Sequence, residues 1–207
     1  NQELQKHGPV QSALRHIHLG ANAISSKSAP ALAEFLGTFS STLESLYLDI
    51  NHIGDDGISV LSPVLQTCSQ LKRLVLGSNR FTDDGLKVIQ EIVLNLPQLE
   101  MLSVGFYKST AALGEQYDQF TDANLLIEIV QRHRSLKFLK VEKSGLCQSE
   151  CQRLIDAVKE RGDLTLMARQ QVGYLTEDII AHSEQELNLL RNPKLVDHIF
   201  SIYRNNM

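Results

Sequence analysis

Apolar residues recur along this chain in one repeated phrase, with apolar side chains at positions 1, 4, 6 and 11 and asparagine at position 9. Three consecutive copies begin at Leu14 (LRHIHLGANAI), Leu43 (LESLYLDINHI) and Leu71 (LKRLVLGSNRF), and these starts lie 29 and 28 residues apart. That period and pattern predict one short strand and one helix per copy. Because each copy can bury its apolar side only against its neighbours, the chain should form a stack of repeats.

A helical pattern follows each phrase. Apolar residues recur at i, i+3, i+4 and i+7, which gives one apolar stripe facing the strands. In the second copy the stripe is Ile58, Leu61 and Leu65; in the third it runs from Leu86 through Ile89 to Val93. Asparagine at position 9 is expected to bind backbone groups where the chain turns out of the strand.

The later copies are less regular. A fourth begins at Leu99 but carries Tyr107 in place of asparagine, and its phrase resumes at Phe120-Thr121-Asp122, which parallels Phe81-Thr82-Asp83. Between them lies an insertion of roughly 108–119. A fifth copy begins at Leu136, and a degenerate sixth ends with a strand at Leu164 and Leu166.

These patterns predict two regions. Residues 1–172 form the repeat array, and 1–10 read as the tail of an earlier helix that ends at Gly8-Pro9. Residues 173–207 lack the period, and we interpret them as a C-terminal helical cap whose first helix begins near Thr176. An open end of a stacked array exposes apolar surface, so such a cap is expected.

The periods, the L-x-L-G-x-N phrases and the D-D-G helix entries resemble the ribonuclease-inhibitor-like class of leucine-rich repeats. The resemblance covers about Leu14 to Leu166 and implies an α/β solenoid, a horseshoe with a concave parallel sheet and convex helices. The chain departs from that family in two ways: asparagine fills the turn position in each of the first three repeats, and the array is shorter. These departures argue against ribonuclease as the protein that this chain binds. Short arrays of this type also look like those of effectors of intracellular bacteria such as Legionella.

Composition narrows the classes of partner. The formal charge of −4 and pI of about 6.0 give no general attraction to nucleic acid or to anionic lipid. The sequence contains no run of eighteen apolar residues, so it predicts no membrane-spanning segment. The three cysteines are too few for a disulfide framework, which favours an intracellular, cytoplasmic setting, or the host cytosol for a translocated effector.

Candidate chemical sites have simpler interpretations. The pairs Asp55-Asp56 and Asp83-Asp84 recur with the scaffold, so they are predicted to cap helix N-termini. His16 and His18 alternate on one strand, but the neighbouring strand offers no usual zinc ligand. No nucleophile elbow, phosphate loop or zinc-protease motif is present, so the sequence predicts no enzyme, no cofactor and no metal site.

The remaining signal is on the concave side, where positions 3, 5, 7 and 8 of successive phrases should face solvent. Aromatic residues, methionine and arginine are enriched at interface cores, and several are aligned here. The sequence therefore predicts that another protein binds this face and the adjoining loop 108–119. The predicted partner-binding residues are His16, His18, Tyr47, Asp49, Ile50, Arg73, Val75, Met101, Phe106, Tyr107, Phe138 and Lys140.

Two functions fit this surface. The first is a non-catalytic interaction module that inhibits an enzyme by occluding its active site. The second is a passive scaffold or adaptor domain of a larger protein whose activity lies in a region upstream of Asn1.

Overall fold

The computed structural model describes residues 14–105, 118–142, 144–172 and 175–181. The predicted helix tail at residues 1–10 lies outside them. The strands are β1 (His16–His18), β2 (Ser45–Tyr47), β3 (Arg73–Val75), β4 (Met101–Gly105), β5 (Phe138–Glu142), β6 (Thr165–Val172) and β7 (Leu175–Ala181). The helices of the described residues are α1 (Ala29–Gly37), α2 (Gly54–Thr67), α3 (Asp83–Leu94), α4 (Ala123–Arg132) and α5 (Gln148–Arg161).

All seven strands form one sheet in chain order, and the first six pair in parallel. Each helix connects two parallel strands, so the predicted α/β leucine-rich-repeat solenoid is confirmed. The second residue of each of the six parallel strands is apolar and points into the core. In register these residues are Ile17, Leu46, Leu74, Leu102, Leu139 and Leu166, and the longer strands β4 and β5 add Val104 and Val141. The predicted helix stripes are buried against this row.

Asparagine side chains hold the turns that follow the strands, as predicted. Asn51 Oδ1 accepts the backbone N–H groups of Asn22 and Ile24 from the preceding repeat, at 3.0 and 2.9 Å. Asn79 Oδ1 accepts the N–H of Ile53 at 3.4 Å. Their amide nitrogens donate to strand carbonyls, including Leu48 O, so each asparagine joins two repeats. We call Asn51 and Asn79 the asparagine ladder.

The aspartate pairs lie in the first turns of α2 and α3, but their first members also join repeats. Asp55 accepts the Thr82 N–H at 3.0 Å and the Thr82 hydroxyl at 2.6 Å. Asp83 binds Thr121 in the same way, at 2.7 and 2.8 Å. Gly85 makes room for this contact, because a β-carbon there would lie 2.1 Å from Asp55 Oδ1. The pairs lie in the first helical turns as predicted, but their predicted capping role is wrong. The side chain of Thr82 caps α3, and α2 has no side-chain cap.

A buried arginine binds backbone carbonyl groups at the C-terminal end of α4. The side chain of Arg161, 4% exposed, donates to the carbonyl oxygens of Val130, His133, Arg134 and Leu136 at 2.6–3.1 Å. These carbonyls lie at or just beyond the C-terminal end of α4, where the last helical carbonyls lack partners within the helix. A cation is also favoured there by the helix dipole.

The predicted helix beginning near Thr176 is wrong. Residues Leu175–Ala181 form β7, which pairs antiparallel with β6. The physical reason is the sheet edge, because without β7 the long strand β6 would present a row of unpaired backbone groups. The rest of the predicted cap, 182–207, lies outside the described residues.

Candidate functional site

Two rows of side chains cross the strands on the face of the sheet opposite the core. The first inner row, in register, is His16, Ser45, Arg73, Met101, Phe138 and Thr165. The second inner row is His18, Tyr47, Val75, Ser103, Lys140 and Met167. The predicted alignment of positions 3 and 5 is confirmed from β1 to β5.

The first inner row is the more open of the two. His16 is exposed, and Arg73, Met101 and Phe138 are partly exposed. Ser45, at 2% exposed, is the buried member between His16 and Arg73. The row therefore presents a cation, a thioether and an aromatic ring side by side on three adjacent strands.

Val75 and Lys140 are not open to solvent, and the prediction of their exposure is wrong. Val75 is 3% and Lys140 5% exposed, and Ser103 between them is fully buried. Val75 lies beside Tyr47 in this row and Ser103 lies beside Lys140, so longer neighbouring side chains shield these short ones. Binding of a partner through Val75 or Lys140 stays a prediction.

At the N-terminal end of the second inner row, His18 stacks on Tyr47. The ring centroids lie 4.1 Å apart and the planes differ by 11°. Burial raises the pKa of the Tyr47 hydroxyl, and the nearby Asp49 carboxylate acts in the same direction while Arg73 opposes it. Because the stack fixes both rings, Tyr47 offers a preorganised aromatic surface.

Asp49 is the acidic group of this region. Burial raises its pKa, and the charges of Lys140 and His18 partly offset that effect. The interaction with Lys140 spans β2 to β5, so charges on distant repeats act on each other across the inner face. Asp49 also explains Gly20, since a β-carbon on Gly20 would lie 3.0 Å from Asp49 Oδ1.

Ile50 has an unusual backbone. Position 8 of the first three phrases is left-handed, with φ of 58° at Ala21, 55° at Ile50 and 60° at Ser78. A β-branched residue disfavours this conformation because its side chain crowds the backbone. Ile50 is partly exposed in the turn after β2, and a strained backbone of this kind supports the hypothesis that the position has a function.

Sequence reasoning missed Asp118. Its carboxylate is 1% exposed and accepts the backbone N–H groups of Ser78 and Asn79 at 3.0 Å and of Phe81 at 2.8 Å. It thereby holds the third turn as Asn51 and Asn79 hold the first two. The fourth phrase has Tyr107 instead of asparagine at position 9, and Asp118 supplies the hydrogen-bond acceptor that the asparagine supplies in the other repeats.

Burial raises the pKa of Asp118 to about 6, while backbone N–H donors from Ser78 to Phe81 act against that rise. Phe106 and Tyr107, two predicted binding residues, lie outside the described residues. So does the insertion apart from Asp118 and Gln119. A sequence signal for Asp118 existed: it is two residues before Phe120, just as Asn79 is two residues before Phe81.

A cleft borders the first inner row where the strands begin. Its volume is about 260 Å³, and Lys72, Glu100 and Lys137 bring charged side chains to its lining. Within 14–105, 118–142, 144–172 and 175–181, no group of three or more His, Cys, Asp and Glu residues could hold a metal ion. Those same ranges contain no helix that is both long and apolar enough to cross a membrane.

Comparison with known families agrees with this geometry. The family described as Leucine Rich repeat matches residues 39–62 and 67–89, which cover the second and third phrases and the first part of the helix after each. No curated protein matches the chain significantly. Leucine-rich repeats indicate a protein–protein interaction module, and domains of this kind are generally non-catalytic.

Proposed function

We propose that this protein binds a partner protein on its concave face and inhibits that partner by covering its active site. The observation that carries the proposal is the partly exposed set Tyr47, Arg73, Met101 and Phe138, which lie on four consecutive strands. Aromatic residues, methionine and arginine are those enriched at the cores of interfaces. Side chains aligned on one rigid face support a binding patch better than scattered ones do.

The scaffold supports inhibition because it is preorganised. Hydrogen bonds of the asparagine ladder and of Asp55 and Asp83 join successive repeats, so little chain entropy is lost when a partner binds. Asp118 extends this bonding to the base of the insertion. Entry of the rest of the insertion into a partner's cleft stays a prediction from the sequence.

Affinity capture followed by an enzyme assay tests the proposal. The parent protein and a Tyr47→Ala/Met101→Ala variant serve as baits in parallel, and Lys87→Ala, on the exposed side of α3, is the matched control. We expect the parent and the control to capture the same protein and the double variant to lose it. The captured protein's activity is then measured with and without the parent.

Two results would change the proposal. Equal capture by the double variant would place binding elsewhere on the molecule. Capture through the concave face with no effect on the partner's activity would favour the scaffold or adaptor function instead.

A further inference from the structure

Among the residues that the structure describes, the first inner row combines a cation that has no carboxylate partner with two adjacent apolar side chains. Within the described residues, the guanidinium of Arg73 makes a single hydrogen bond, to Ser45 Oγ at 3.5 Å. Met101 and Phe138 follow it on the next two strands in register. An arginine that is partly buried and not paired with an acid is ready to accept a carboxylate, which it can bind through two parallel N–H groups.

The surrounding charges strengthen this preference. Position 2 of the phrases adds Arg15, Glu44, Lys72, Glu100 and Lys137 along the margin where the strands begin. Glu44 is already neutralised by Arg15 and Lys72, each at 2.9 Å. With Arg73, the margin carries four cations and two carboxylates, although the whole chain has a formal charge of −4. This locally cationic surface on an acidic protein favours an acidic partner.

We propose that the first inner row, with the cationic margin beside it, binds an extended protein segment with an acidic residue at position i and an apolar residue at i+2. Parallel strands lie about 4.8 Å apart, so the midpoint between Met101 and Phe138 is roughly 7 Å from Arg73. An extended chain advances about 6.6 Å over two residues, and side chains at i and i+2 point to the same side. A segment crossing the strands therefore sets its carboxylate on Arg73 and its apolar side chain between Met101 and Phe138.

This inference rests on the proposed function and adds the chemistry of the bound segment. Its test uses displayed random peptides of twelve residues selected on the full chain. Enriched peptides are synthesised with a fluorescent label, and their Kd is measured by fluorescence anisotropy. We expect Asp/Glu-x-apolar sequences to be enriched.

Arg73→Gln should weaken binding of such a peptide about tenfold or more, and so should replacing its acidic residue by Gln or Asn. The two changes together should cost little more than either alone, because both remove the same ion pair. Arg73→Lys should restore part of the affinity. Lys87→Gln, which removes an equal charge from α3, should leave Kd unchanged. Thermal melts check that each variant is folded, since Arg73 makes little contact that the fold requires.

Other outcomes have distinct meanings. Enrichment of peptides that lack an acidic residue would overturn the inference. So would peptides whose binding is unchanged by Arg73→Gln but lost with Tyr47→Ala, and this second result would leave the concave face as the binding site. Peptides affected by neither variant count against the proposed function as well. If selection enriches no peptide, the inference of a linear segment is wrong, and the proposed function is decided by capture with the Tyr47/Met101 variant.

Discussion

The carboxylate of Asp118 lies 3.0 Å from the backbone nitrogen of Asn79, the residue that itself holds the preceding turn. The row of turn-binding side chains formed by Asn51 and Asn79 thus continues with Asp118, which lies near the C-terminal end of the insertion 108–119. In this position an asparagine accepts with its amide oxygen and donates to carbonyl oxygens through the two N–H groups of its amide nitrogen. Asp118 instead accepts with both oxygens, because the groups around it are all backbone donors.

Asp118→Ala should destabilise the fold by about 3 kcal/mol, because it leaves several buried N–H groups without an acceptor. Asp118→Asn should also be unfavourable, since its amide would face the N–H of Ser78. Urea unfolding at pH 7 measures both changes. Gln119→Ala is the control from the same segment, because that side chain is exposed. Stability of Asp118→Ala within 0.5 kcal/mol of the parent would show that the turn does not depend on this carboxylate.

Asp118 should also make stability depend on pH. Its folded-state pKa of about 6 lies above the ordinary value of 3.8, so the folded state holds the proton more tightly than the unfolded chain. Its contribution to the free energy of unfolding is then greatest below pH 4 and falls as pH rises to about 6. At roughly 1.4 kcal/mol per pKa unit, the fall is about 3 kcal/mol.

Comparing the parent with Asp118→Asn isolates this effect, because the other titrating groups are shared. Free energies of unfolding are measured between pH 4 and pH 7.5. The parent should lose stability relative to the variant across that range. A constant difference between the two proteins would mean that Asp118 ionises in the folded and unfolded states alike.

Ile50→Asn should raise stability and weaken partner binding. Asparagine tolerates the left-handed backbone better than isoleucine, and the relief is about 0.5–1 kcal/mol after some loss of burial. Ala21→Asn is the matched control at the same phrase position, with φ of 58°. Both variants should melt at a higher temperature, but only Ile50→Asn should reduce affinity. Unchanged affinity for Ile50→Asn would remove Ile50 from the binding surface.

Arg161→Met should cost about 3 kcal/mol, because it removes charge-assisted hydrogen bonds to four carbonyl oxygens near the end of α4. Arg153→Met, on the exposed side of α5, which also contains Arg161, should cost less than about 1 kcal/mol. Chemical unfolding of both variants gives the comparison. Equal costs would show that the carbonyl contacts of Arg161 add nothing beyond an ordinary surface arginine.

The repeat period made the sheet predictable from sequence. The spacing of the phrases sets the register, because each strand buries an apolar residue, such as Leu46 or Leu74, beside the equivalent residue of the next repeat. The turn role of Asn51 and Asn79 followed from the same pattern. Asp118 was not predicted because its contact depends on the path of an insertion that has no period of its own.

The other misses also have physical causes. The segment after Tyr174 carries the Thr-Glu-Asp sequence of a helix start, but pairing with the free edge of β6 gives it a strand. Burial of Val75 and Lys140 depends on the side chains of the neighbouring strands. A phrase position gives the face of a strand on which a side chain lies and does not give its exposure.

Hydroxyl-radical footprinting of the complex with the captured partner tests the central claim most directly. Tyr47, Met101 and Phe138 are oxidisable side chains of the inner rows, and Phe35 on α1 is an exposed reference outside them. We predict that the partner slows oxidation of Tyr47, Met101 and Phe138 severalfold and leaves Phe35 unchanged. Unchanged oxidation of the three inner-row residues, with protection of Phe35, would contradict binding on the concave face.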